Sequence, residues 1–392
     1  MPNYATSDIR NITLVGHSGS GKTTLVEALL AKSGTIGEAG TIERGTTTTD
    51  HDPLEKEFQS SLDSAIASLD FEGIHVNLID TPGFPDFRGP ALTGMAATET
   101  TAIVINGHNG IELSTRRLMR RAKRRRLCRI IVISKIDQPG TNLKRVVESI
   151  RDEFGPECLP INLPAENFST VRDCFFGTEG ETDIFSLAEA HEAIIDQVVE
   201  TSESLMEKYL EGEELSRDEL HNAFERALRE GHLVPICFTS AQTGAGLGEF
   251  LRLCKRLLPN PAEGNPPPFM KGEGAKMELV EVSPDSERHV LAHVFKIVND
   301  PFRGKLGIFR IHQGTITPDS QLLIGDARKA FKVSHLYRLQ GKDQIEMERN
   351  HFEAGSLKID KRVMEFLRGW LVNHIAASDQ AYVPTLKRAG VE

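Results

Sequence analysis

The 392-residue chain has no stretch near the roughly 18 uninterrupted apolar residues that a membrane-crossing helix requires, so no membrane partner is expected. Its first residues, MPNYATSDIRN, lack the apolar centre of a secretory signal, and a cytoplasmic protein is expected. Cysteine is scarce. Five residues, an odd number without metal-ligand spacing, argue for reduced thiols and against a disulfide framework. A basic balance is lacking too. The net charge of −10 argues against blanket binding of nucleic acid, and no DNA partner is expected. What remains is ordinary for a soluble globular protein, with 39% hydrophobic and 26% charged residues and length for two or three domains.

Short apolar runs alternate with helix-like stretches up to residue 258. The strand candidates are Ile12–Val15, Ile74–Ile79, Ala102–Asn106, Ile130–Ser134 and Val234–Ser240. They are rich in Ile and Val, as strands buried on both faces should be, and the alternation predicts a mostly parallel sheet with helices on both sides. Ligands of such sheets sit at the carboxyl ends of the strands. Residues 259–276, crowded with Pro and Gly, read as a linker. Residues 277–355 then read as strands joined by Gly, Asn-Asp and Pro-Asp turns, a small antiparallel barrel. From 356 to 392 the spacing of Val363, Phe366, Leu367, Trp370 and Leu371 predicts a helical tail.

The most informative stretch is Gly16-His17-Ser18-Gly19-Ser20-Gly21-Lys22-Thr23, followed by Thr24. It fits G-x-x-x-x-G-K-[ST] between a predicted strand and a predicted helix, the context of a phosphate-binding loop. Small residues let backbone N–H groups converge on phosphate oxygens, and the helix N-terminus favours negative charge. Lys22 would reach the β- and γ-phosphates, and the Thr23 hydroxyl would ligate Mg²⁺. A second candidate strand ends in Asp80-Thr81-Pro82-Gly83. There Asp80 could hold the metal through water, and the Gly83 N–H could meet the γ-phosphate.

Ser134-Lys135-Ile136-Asp137 resembles the guanine-reading N/T-K-x-D motif of GTPases, with Asp137 facing guanine N1 and N2. Ser240-Ala241-Gln242 resembles the third base-contacting motif of the same proteins. In order, and joined by stretches such as VNLIDTPGFPDF, SESLMEKYLEGEEL and VFKIVNDPFRGKLGIFRIHQGTITPDSQLL, these motifs resemble elongation factor G, and within it the bacterial elongation factor G-like paralogues. The resemblance runs over about residues 8–355. It implies a P-loop GTPase domain over 1–258 with an insert at about 155–233, and then a translation-factor barrel. It also implies GTP and GDP with Mg²⁺ as ligands, and the ribosome, through ribosomal RNA and stalk proteins, as partner of a monomer.

Three positions depart from the family pattern. Phe84 stands where the family has the His that orients the attacking water, and a phenyl ring neither donates nor accepts a hydrogen bond. GTP hydrolysis and a GTP-dependent binding switch with negligible turnover are therefore both open. The first-switch Thr has no direct counterpart. Alignment back from Asp80 places Ser61 there, either as a Mg²⁺ ligand or as a solvated loop serine. Ser134 replaces the usual Asn or Thr, which predicts a weaker brace to the P-loop.

Two further stretches stand out. Residues 116–129, RRLMRRAKRRRLCR, predict a basic helix that either contacts RNA phosphate or is a solvated face, with Leu118, Met119, Ala122 and Leu127 toward the sheet. The tail resembles the last helix of bacterial hemerythrins, in which His374 and Asp379 match di-iron ligands and an iron- or oxygen-binding fusion would follow. Five residues is about 140° around a helix, and one helix cannot build a four-helix metal core, so a metal-free amphipathic helix is the stronger expectation. With the barrel cut short at 355 and only this tail after it, the chain is not expected to catalyse translocation alone.

Overall fold

The computed structural model describes residues 4–175, 177–213, 215–264, 269–271, 278–325, 329–346 and 357–360. The chain divides into two compact units, 1–284 with 339–343, and 285–338 with 344–392.

The first unit is an α/β layer structure, as the alternation predicts. Its strands are β1 (Ile9–Gly16), β2 (Ala65–Phe71), β3 (Ile74–Asp80), β4 (Thr100–Asn106), β5 (Cys128–Ser134), β6 (Cys158–Pro160), β7 (Asn162–Ala165), β8 (Thr170–Asp173) and β9 (Val234–Phe238). Its helices are α1 (Lys22–Lys32), α2 (Pro53–Phe58), α3 (Arg88–Ala97), α4 (Leu113–Arg124), α5 (Leu143–Phe154), α6 (Leu187–Val199), α7 (Glu203–Leu210), α8 (Arg217–Glu230) and α9 (Leu247–Arg256). Seven strands form one sheet in the order β2-β3-β1-β4-β5-β9-β6. Every neighbouring pair is parallel except β2 with β3.

Burial explains the pattern. All residues of β1, β4, β5 and β9 are buried, and apolar residues dominate their centres. α1 is covered nearly all round, with Leu25, Val26, Leu29 and Leu30 at 0–1% exposure, each contributing at most about 1.5–3 kcal/mol. The edge strand β2 was not among the sequence-predicted strands. It forms a hairpin with β3 through Glu72 and Gly73, both at positive φ (44° and 91°), the two-residue turn whose twist suits paired strands. β6, three residues long, carries too little periodicity to be seen in sequence. The sequence-predicted strand Val234–Ser240 ends at Phe238, which leaves Ser240 in the following loop. All five cysteines are free and buried.

Within the linker stretch β10 (Phe269–Lys271) is a short strand, and it pairs antiparallel with β11 (Glu278–Val280) just beyond it. The barrel-like part consists of small antiparallel sheets. β12 (Leu291–Asp300), β13 (Gly304–Gln313), β16 (Tyr337–Gln340), β17 (Asp343–Glu346) and β18 (Leu357–Asp360) form a five-stranded sheet ordered β12-β13-β18-β16-β17. β14 (Gln321–Leu322) and β15 (Phe331–Lys332) pair separately. At the β12–β13 turn, Asp300 Oδ1 accepts from the N–H groups of Phe302 and Arg303, both at 2.8 Å. Phe309, Ile311, Ile316, Val333 and Leu336 form the core of the second unit. In the same unit half-buried His293 meets buried His312, Nδ1 to Nε2 at 2.8 Å, and Arg310 is fully buried.

One expectation requires correction. The sequence reading ends the barrel at 355 and starts a helical tail at 356, but Leu357–Asp360 is a strand paired antiparallel with β13. Leu357 and Ile359 alternate with Lys358 and Asp360, a period of two, and the segment stands in antiparallel register with Gly307–Arg310 of β13. The remainder of the expected tail, with His374 and Asp379, lies outside the described residues.

Candidate functional site

The site is built where β1, β3, β5 and β9 end. β1 stops at Gly16, and the loop turns into α1 through Gly21, whose left-handed backbone (φ 89°, ψ 22°) suits glycine. Lys22 folds back over this loop, and its Nζ donates to Gly16 O at 3.2 Å and His17 O at 2.9 Å. Burial lowers the Lys22 ammonium to about 8, against the opposing pull of Asp80. Gly83 lies against the same loop so closely that a Cβ there would stand 2.4 Å from Ser18 N. The His17 ring meets Glu112, at the start of α4, at 3.0 Å.

Below the loop, hydroxyls converge on Asp80. Thr23 Oγ1 donates to Asp80 Oδ2 at 2.7 Å, and Thr49 Oγ1 donates to the same oxygen at 3.0 Å. Ser61 Oγ lies 3.2 Å from Thr23 Oγ1 and also bonds Asp50. Thr81 ties the strand end to β1 by donating to Leu14 O at 2.6 Å. Asp80 Oδ1 and Asp50 Oδ2 are buried and have no hydrogen-bond partner among the described residues. Burial, and then the neighbouring Asp80 charge, push the Asp50 carboxyl up to about 7, and burial likewise raises Asp80.

Two buried carboxylates hold the surrounding loop. Glu27 on α1 accepts from Thr48 N at 2.5 Å and Gly40 N at 3.1 Å. Glu55 on α2 accepts from Asp52 N, Leu62 N and Asp63 N at 3.1–3.3 Å. Together they fix the segment on which Thr49, Asp50 and Ser61 stand.

Beside the phosphate loop a cleft of about 270 Å³ is lined by Gly21, Thr24, Leu25, Ser134, Lys135, Asp137, Gln138, Thr239, Ala241 and Gln242. Asp137 Oδ1 is buried and without a partner among the described residues. Lys135 Nζ donates to Gly19 O at 3.0 Å, and its stem forms part of the cleft wall. Ser134 Oγ donates to Ser20 O at 2.5 Å and also approaches Ile105 O at 3.3 Å. The short serine thus still reaches the P-loop carbonyl directly. Ser240 shapes the adjoining turn, its Oγ accepting from Thr243 N at 3.1 Å. Phe84 follows Gly83 and is 43% exposed.

The family model described as the elongation factor Tu GTP binding domain matches residues 7–260. The chain belongs to that family. It is 33% identical, over 341 residues, to an elongation factor G-like protein of Mycobacterium tuberculosis (strain CDC 1551 / Oshkosh), covering 82% of this chain and 47% of the relative. An elongation factor G-like protein of Thermotoga maritima is 31% identical over 353 residues, covering 87% and 50%. A crystal structure from Thermus thermophilus superposes with a TM-score of 0.77 at 32% identity, covering 92% of this chain and 53% of that one. The chain spans about half the length of the curated relatives it matches.

The GTP-binding domain thus brings the P-loop residues, Ser61, Asp80, Gly83, Lys135 and Asp137 into one region. Sequence reasoning missed Thr49 and Asp50. The Thr-rich run before them offers no period and no fixed offset from the P-loop, and tertiary hydrogen bonds to Glu27, Asp80 and Ser61 bring it to the site. The donor set of Thr23, Ser61, Thr49, Asp50 and Asp80 is all oxygen, and two of its buried carboxylate oxygens lack partners among the described residues. That chemistry fits a hard divalent cation such as Mg²⁺. Among the described residues no cluster of three or more His, Cys, Asp and Glu could hold a metal, and no helix is long and apolar enough to cross a membrane.

Proposed function

We propose that this chain binds GTP and GDP with Mg²⁺ and hydrolyses GTP as an elongation factor G-like GTPase in the cytoplasm, with the ribosome as partner. The observation that carries the base assignment is the buried, unpartnered Asp137 oxygen at the cleft beside the P-loop. It suits the paired N1 and N2 donors of guanine, whereas adenine offers the wrong pattern. Triphosphate would lie over the N-terminus of α1, where backbone N–H groups and Lys22 meet its negative charge. Mg²⁺, when bound, would neutralise charge developing on the β- and γ-phosphates. Thr23 and Ser61 offer it hydroxyl oxygens, and Asp80 fixes the Thr23 hydroxyl by its hydrogen bond.

In hydrolysis a water oxygen bonds to the γ-phosphorus as the bond to the β,γ-bridging oxygen breaks, releasing GDP and phosphate. Lys22 stabilises the leaving oxygens, and the Gly83 N–H is placed to meet the γ-phosphate. Phe84 cannot hold the water, so slow turnover by the isolated chain follows. The same residue favours a second reading, a GTP-dependent binding switch with negligible turnover. Calorimetry with GDP, GTP and ATP tests the base assignment, and equal or tighter ATP binding would overturn it. Asp137→Asn is expected to weaken GDP binding about tenfold or more, the loss of a charge-assisted hydrogen bond. A GTPase assay with and without ribosomes separates the two readings, because stimulation by ribosomes favours the enzyme and its absence favours the switch.

A further inference from the structure

We propose that the outward face of α4 is a docking surface for the phosphate backbone of double-helical RNA. Thr115, Leu118, Met119 and Ala122 are buried against the sheet. Arg117, Arg120, Arg121 and Arg124 stand exposed on the opposite side, at the i, i+3, i+4, i+7 spacing of a single stripe. The flanking cations are already engaged. Arg116 pairs with Glu153 at 3.0 Å and Lys123 with Glu157 at 3.4 Å. Arg125 donates to Leu92 O at 3.4 Å. Within the stripe Arg120 Nε reaches Arg116 O at 3.4 Å, and no acidic side chain forms an ion pair with the four arginines among the described residues.

Such a stripe does not help the fold. Arg117 with Arg121, and Arg120 with Arg124, are like-charge pairs one turn apart, which destabilise a helix. The neighbouring Arg121 charge also lowers the affinity of half-buried Arg125 for its proton, after burial itself. A solvated face on a chain of net charge −10 would be served by mixed charge. The residues chosen are arginines, whose planar forks match phosphate in pairs, where lysine would suffice for solubility. The stripe runs seven steps along the helix, a rise of about 10 Å, long enough to meet successive phosphates rather than one anion. α4 itself carries no aromatic side chain to stack an unpaired base, which favours a duplex read by its backbone. The charge argument stands apart from nucleotide binding. The choice of RNA over DNA rests on the proposed ribosomal partner.

The test uses the full chain and a variant carrying Arg117→Gln, Arg120→Gln, Arg121→Gln and Arg124→Gln. Anisotropy is measured across a salt series with a labelled RNA duplex of about 20 base pairs, a DNA duplex of the same length, and polyglutamate. The parent is expected to bind the RNA duplex with log affinity falling linearly as log salt rises. The variant should bind more weakly and with a shallower slope, by roughly 0.7–0.9 for each phosphate that is no longer neutralised. Four Arg→Lys changes should keep most of the slope. Unchanged GDP affinity and a melting temperature no lower than the parent's show that the glutamine variant is folded, and keep a failure here separate from failure of the nucleotide reading. Equal RNA affinity and slope for parent and glutamine variant would overturn the proposal. So would no binding of duplex by the parent, tighter binding of DNA than of RNA, or tighter binding of polyglutamate than of RNA.

Discussion

At the residue scale, the site turns on side chains whose chemistry is settled by burial. Phe84 is the exception, since its half-exposed ring leaves room for another group. Phe84→His places a donor and acceptor next to Gly83, on the side where the γ-phosphate and its attacking water would lie, and a positioned base commonly contributes 10²–10⁴-fold. Single-turnover hydrolysis is expected to rise by roughly tenfold or more in the presence of ribosomes, and an unchanged rate would place the limiting step elsewhere. Asp50 gives a different kind of forecast. Its carboxyl, raised to about 7 chiefly by burial and then by Asp80, holds a proton that the unfolded chain gives up near 4. The native apoprotein therefore binds more protons across that window, and stability from this group is lost as pH rises toward 7. Asp50→Asn should stabilise the apoprotein at pH 8, on the order of 1–3 kcal/mol, while reducing the stabilisation gained from Mg²⁺ with GTP. Melting curves with and without both ligands check the pair of effects.

At the element scale, the loop between α1 and β2 is held by Glu27 and Glu55 through backbone N–H groups rather than by an apolar stripe. Glu27→Ala removes the acceptor for Thr48 N and Gly40 N. A cost of about 1.5–3 kcal/mol is expected for losing bonds to a charged group. Hydrogen exchange should quicken at residues 40–50 and leave β4 and β5 protected; uniform protection would show that the loop is held by something else. This loop is also where the sequence was least legible. The P-loop, Asp80 and Asp137 follow from short motifs at strand ends, each fixed by the geometry of a phosphate or a base. Thr49 and Asp50 follow from tertiary hydrogen bonds with no sequence period. β2 was missed because its turn, Glu72-Gly73, lacks the Asn-Gly or Asp-Gly signal, and β18 because the helical spacing beyond it masked a four-residue alternation.

At the scale of the whole molecule, the two units should respond to acid differently. His312 is pushed down to about 2, first by burial and then by Arg310 and His293. The native form stays neutral while the unfolded chain takes up a proton below about 6.5, so stability from this group falls as pH drops through that value. The slope is about 1.4 kcal/mol per pH unit at most, or roughly 2 kcal/mol by pH 5. Scanning calorimetry should show a transition for the second unit that moves down between pH 7 and pH 5, and His312→Gln should flatten that movement. The Asp50 contribution in the first unit runs the opposite way over the same range.

The placement of the five thiols gives the molecule a built-in gauge of its own opening. Cys128, Cys158 and Cys237 lie on β5, β6 and β9, Cys254 lies on α9, and Cys174 follows β8. Burial pushes the first two up to about 12 and the others higher still, so neither access nor thiolate is present while the fold is closed. A maleimide should therefore react only with chains that have opened locally or globally. None of the five lies on β1, α1 or β3, which carry the phosphate loop and Asp80. If GDP slows the labelling of all five equally, the sheet opens as one cooperative body; if it spares only some, the flank around β6 breathes by itself.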